Sequence, residues 1–102
     1  MMAIFPGIGL NINIDGQSVE INNNENAIIS SETDNAVNMQ SMAGTFNNSG
    51  IITGANNGIF ISEESSAISI TNTDTGVITG KNGLSSQIAV GLDNSGAITG
   101  TA

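Results

Sequence analysis

A chain of 102 residues with nine acids and a single basic residue, Lys81, carries a net charge of −8. That leaves too few cations to displace counterions from a phosphate backbone, so nucleic acid is excluded as a partner. Cysteine and histidine are both absent, which excludes disulfides, thiolate metal sites and the usual base of a nucleophile-plus-base constellation. No segment approaches the roughly 18 consecutive apolar residues of a membrane span.

The polar residues are mostly Asn, Ser, Thr and Gly, and the apolar ones mostly Ile. β-Branched Ile favours strands, while Asn and Gly supply the turns that end them. The opening 1–10 is apolar but lacks a basic stretch and is interrupted by Pro6, Gly7 and Gly9, so it does not read as a conventional signal peptide. Leu10, Ile12 and Ile14 then alternate with asparagines, the period of a strand with one buried face. Asp15-Gly16 signals a turn, and Val19-Glu20-Ile21 repeats the alternation. The expected organisation is an apolar leader and first strand over 1–18, followed by repeats over 19–102.

Further strands are expected at Ala27-Ile28-Ile29-Ser30 and Ala36-Val37-Asn38-Met39. Residues 40–45 read as an insertion, and so does the stretch through Gly58-Ile59-Phe60-Ile61 to the exposed pair Glu63-Glu64, with room for one extra short strand. One phrase occurs three times, as Gly50-Ile51-Ile52-Thr53-Gly54, Gly76-Val77-Ile78-Thr79-Gly80 and Gly96-Ala97-Ile98-Thr99-Gly100. It alternates with apolar pairs two residues apart, Val19/Ile21, Val37/Met39, Ile68/Ile70 and Ile88/Val90. A base step of about ten residues, broken by two insertions, predicts a coiled β-ribbon with two strands per coil. The fold class is therefore all-β, a single-stranded parallel β-solenoid (β-helix) of about four coils. Ile52, Ile78 and Ile98 are expected inside, with Val37, Ile68 and Ile88 laddered on the opposite inner wall. Thr53, Thr79 and Thr99 are expected to form an outer threonine wall.

The phrases Asn48-Ser49-Gly50-Ile51-Ile52-Thr53-Gly54 and Asn94-Ser95-Gly96-Ala97-Ile98-Thr99-Gly100 resemble the Asn-Ser-Gly-x-Ile-Thr-Gly repeats of bacterial autotransporter passengers and related surface adhesins. The resemblance runs over about 36–102 and implies a right-handed parallel β-helix displayed outside the cell.

Catalysis is not expected. Glu63-Glu64 sits in a polar loop, and Asp74 and Asp93 read as turn residues whose carboxylates bond their own backbone. No cofactor is implied. Any calcium at turn carboxylates is expected to bind only weakly, because the glycine-rich calcium nonapeptide is absent. The amides of 22–26 and of Asn47-Asn48 suit either stacked ladders or exposed turns.

Neither end of the repeat carries an obvious cap, and an open solenoid edge invites pairing. The expected partner is the chain itself, joined head to tail into an extracellular filament or surface matrix. The expected contacts are Ile4, Phe5, Ile8, Leu10, Ile12 and Ile14 at one end and Ile88, Val90 and Ile98 at the other. The apolar leader would reach the next subunit. The alternatives are an ice-binding solenoid using the threonine wall and a repeat fragment of an adhesin passenger.

Overall fold

The computed structural model describes residues 2–5, 10–13 and 18–101. The expected Ile8, Ile14 and the Asp15-Gly16 turn lie outside the described residues. The described strands are β1 (Met2–Phe5), β2 (Leu10–Asn13), β3 (Ser18–Asn23), β4 (Ile28–Ser31), β5 (Val37–Gln40), β6 (Ala43–Asn48) and β7 (Ile51–Gly54). They continue with β8 (Asn57–Ile61), β9 (Ile68–Asn72), β10 (Val77–Gly80), β11 (Asn82–Ser86), β12 (Gly91–Asn94) and β13 (Ala97–Gly100).

The chain deals these strands in rotation onto three sheets. The first is β1-β4-β7-β10-β13, the second β2-β5-β8-β11 and the third β3-β6-β9-β12. Every pairing is parallel, for example β4 on β7 and β7 on β10. The molecule is thus an all-β parallel solenoid of about four coils, as expected, but each coil has three walls rather than two. The two supposed insertions account for the difference in the second and third coils, and in the fourth the expected Ile88/Val90 strand is a corner between two strands, β11 and β12. Residues 40–45 lead into β6, a full strand of the third sheet, and Gly58 to Ile61 belong to β8, a full strand of the second.

Position along each strand decides which side chains go inside. In the first sheet Ile29, Ile52, Ile78 and Ile98 stand in register, and Ile52 and Ile78 are completely buried. Their neighbours alternate outward, Ile51 being 38% exposed. Ile28 therefore belongs to the outer column, with Ile51 and Val77, and its neighbour Ile29 faces the core.

The opposite wall differs from the expected single ladder. Val37 lies on the second sheet between Leu10 and Ile59, whereas Ile68 lies on the third, opposite Gly44. Ile88 is in no strand. The Ser86 hydroxyl donates to the Ile88 carbonyl at 2.7 Å and accepts from the Ile88 amide at 3.2 Å, a local pairing that takes this backbone away from the ladder. Phe46, Ile59, Ile61, Ile70, Met39 and Met42 fill the remaining interior. Each fully buried side chain of this kind contributes roughly 2–3 kcal/mol of transfer free energy.

Candidate functional site

The third sheet closes each coil on an asparagine that points inward. Asn23 Nδ2 donates to Asn48 Oδ1 at 2.8 Å, Asn48 Nδ2 to Asn72 Oδ1 at 2.9 Å, and Asn72 Nδ2 to Asn94 Oδ1 at 2.8 Å. Asn48 and Asn72 are fully buried. A primary amide has two N–H groups, and the second reaches corner carbonyls: Asn48 to Gly50 at 3.1 Å and Asn72 to Gly76 at 3.2 Å. At Asn48 and Asn72, where the row is fully buried, it is thereby satisfied, as burial demands. The glycine opening each repeated phrase makes room for it. A Cβ at Gly76 would collide with the Asn72 amide oxygen and the Asn48 carbonyl, and one at Gly50 would lie 2.9 Å from Asn23 Nδ2. A second, outward amide pair joins Asn47 Nδ2 to Asn22 Oδ1 at 2.9 Å.

Every bond in the inner row runs in the same sense, so its two ends differ. Among the described residues nothing donates to Asn23 Oδ1 and nothing accepts from Asn94 Nδ2. One end of the solenoid presents an amide acceptor and the other an amide donor.

The strands at those ends have a neighbour on one side only among the described residues. They are β1, β2 and β3 at one end and β13, β11 and β12 at the other. The apolar columns open there too. Leu10, Ile12 and Ile21 are half-buried at the first end, as are Leu84 and Ile98 at the second, where Leu92 is 47% exposed. Of the expected contact residues, Ile4 and Phe5 lie on β1, Leu10 and Ile12 on β2 and Ile98 on β13. Ile88 and Val90 are half-buried in the corner between β11 and β12. Sequence reasoning did not count Leu92, Leu84 or Ile21 among the end contacts. It left stacked amides at 22–26 and Asn47-Asn48 open as one of two readings, and missed that the row runs inside and continues through Asn72 and Asn94. A signal for the row was present, because Asn closes β3, β6, β9 and β12 alike.

The threonine wall is on the first sheet. Thr53, Thr79 and Thr99 are in register, Thr53 and Thr99 are exposed, and Thr79 Oγ1 donates to Thr53 Oγ1 at 3.3 Å. Beside it runs the outer column of Ile28, Ile51, Val77 and Ala97.

The acids do not converge. Glu63 and Glu64 are exposed in the turn after β8, Asp74 is exposed in the turn after β9, and Asp93 lies on β12 opposite Thr71 rather than in a turn. Among the described residues no group of three or more His, Cys, Asp or Glu could hold a metal ion. No helix among them is long and apolar enough to cross a membrane.

These features define a class by architecture, a three-walled parallel β-solenoid with an internal asparagine row. Compared with known protein families, curated proteins and solved structures, the chain matches none.

Proposed function

We propose that the chain is a non-enzymatic structural protein that joins head to tail, coil upon coil, into a filament. The observation that carries this reading is the complementarity of the two ends. Each offers three parallel strand edges and half-open apolar columns, and the amide row finishes in an acceptor at one and a donor at the other. Two unlike faces on one molecule form a heterologous contact, which propagates when the rotation does not close. The Asn-Ser-Gly-x-Ile-Thr-Gly rungs, in their likeness to surface adhesin passengers, support an extracellular or cell-surface setting.

Electron microscopy with light scattering over a concentration series tests the reading. Filaments with a ~4.8 Å axial spacing are expected from coil-on-coil stacking. A monodisperse monomer at every concentration would sink it, and would favour a passenger segment whose edges are covered by other coils.

A second reading rests on the Thr53, Thr79 and Thr99 column. Hydroxyls in register on successive rungs of one sheet support binding to an ordered water lattice, and thermal hysteresis in dilute solution is its test.

A further inference from the structure

The three sheets are unequal: among the described residues the first has five strands, and the second and third have four each. A copy stacked four rungs above another would bring its β2 onto β11 and its β3 onto β12. Its β1 would then claim the rung that β13 of the lower copy already fills. Stacked five rungs above, both strands of the first sheet fit, but the second and third sheets each lack a rung at the junction.

We infer that β13 of one copy displaces β1 of the next and pairs with its β4, so that four-rung stacking continues all three sheets without a gap. This rests on the head-to-tail reading above and names the strand that makes the joint.

Rung composition decides between the two claimants. Reading outward, inward, outward, inward, the first sheet runs Ile28-Ile29-Ser30-Ser31, Ile51-Ile52-Thr53-Gly54, Val77-Ile78-Thr79-Gly80 and Ala97-Ile98-Thr99-Gly100. β13 repeats that pattern. β1 does not repeat it, because the register pairs Ala3 with Ile29, Ile4 with Ser30 and Phe5 with Ser31. On β4 of the next copy, Ile98 would meet Ile29 as Ile52 does within one molecule. The leader expected from the sequence to bridge subunits is thus the segment that leaves.

The other two sheets agree with the four-rung step. Continuing the columns sets Leu84 against Leu10 of the next copy. It covers the exposed Leu92 with Ile21 of the next copy. It also brings Asn94 Nδ2 to Asn23 Oδ1 of the next copy, the donor and acceptor left over within one molecule.

Strand alternation supplies a selective probe. Ala97 N donates to Gly76 O and Thr101 N to Gly80 O, so the amide of Ile98 points to the opposite edge, where the next copy would dock. Proline there removes a donor to the neighbour and none to β10. In β1, successive amides point to opposite sides, so Ala3→Pro with Ile4→Pro removes a bond to β4 whichever way the strand faces.

The experiment compares the full-length wild type, Ile98→Pro, and the Ala3→Pro/Ile4→Pro double variant by electron microscopy, light scattering and circular dichroism. The expected wild-type axial repeat is ~19 Å, four rungs at ~4.8 Å each. The double variant should assemble with the same repeat at a severalfold lower critical concentration. Ile98→Pro should keep the β spectrum of the monomer and lose assembly. A repeat of ~24 Å, five rungs, would overturn the inference while leaving head-to-tail assembly standing. So would filaments from Ile98→Pro, or loss of filaments in the double variant with its β spectrum intact. If all three proteins are folded monomers at every concentration, the head-to-tail reading itself fails, and the inference with it.

Discussion

Asn48 hands its amide proton to Asn72 across 2.9 Å with no solvent contact on either side chain. That single bond links the second and third coils inside the core, and it is repeated above and below. Asn48→Asp keeps the shape, removes both donors and buries a charge against the Asn72 carbonyl oxygen. Loss of about 3 kcal/mol or more is expected, since each buried unsatisfied group costs ~1–3 kcal/mol and a charge more. Asn47→Ala, which breaks only exposed bonds, to Asn22 at 2.9 Å and to Glu20 at 3.4 Å, should cost under about 0.5 kcal/mol. Equal losses in urea denaturation would show that the inner row has no special weight.

The glycine that opens a repeated phrase is fixed by the corner it sits in: by the Asn72 amide and the Asn48 carbonyl at Gly76, and first of all by backbone carbonyls at Gly50 and Gly96. Gly76→Ala must displace both the Asn72 side chain and the Asn48 backbone, so the protein should fail to fold or lose several kcal/mol. Gly91→Ala meets only the Ser69 hydroxyl at 3.3 Å and should change the melting temperature little. A stable Gly76→Ala protein would mean the corner can open without cost.

Ala67 has φ of 52° and its carbonyl accepts from Gly44 N at 3.2 Å. The left-handed conformation costs an alanine ~1–2 kcal/mol, against about 0.5–1 kcal/mol for the extra unfolded-chain freedom of glycine. Ala67→Gly should therefore stabilise the fold by about 0.5–1 kcal/mol, read as a higher urea midpoint at unchanged slope.

Much of the first sheet was legible in the sequence, and the other two were less so, for a physical reason. From β4 to β13 the first sheet spells each rung with the same alternation, so Ile52, Ile78 and Ile98 declare their inward face, though Ile98, at the open end, is only half-buried. β6 turns Phe46 and Asn48 inward and β12 Leu92 and Asn94. A strand whose second inward residue is an amide reads as a polar loop unless the amide's partner is foreseen. This is why β6 passed for an insertion and the coil for two-walled. Ile88 misled in the opposite way: its alternation with Val90 is that of a strand, but the Ser86 hydroxyl holds its backbone in a corner.

Copies carrying a net charge of −8 repel one another. At ~0.01 M salt the Debye length is about 30 Å, and at ~0.15 M about 8 Å, against a molecule 28 × 27 × 26 Å in extent. Assembly followed by light scattering should be slow at the lower salt and faster at the higher. The reverse order would mean that the joint is ionic rather than apolar and amide-linked.

Replacing Thr79 by Lys puts a charge at the centre of the threonine column without touching the core. Any thermal hysteresis should disappear, while filament formation and the melting temperature stay near wild type. If the wild type has no hysteresis to lose, the column is simply a solvent-facing strand surface.

The inner asparagines all face the same way along the axis, and that gives the molecule an arrow. Two copies brought together by a two-fold rotation would set like against like, donor to donor at one tip or acceptor to acceptor at the other. Such a pair would gain nothing from the row. The arrow thus disfavours self-limiting dimers, and it makes the two tips of any growing assembly chemically unlike, each with its own rate of gaining and losing subunits.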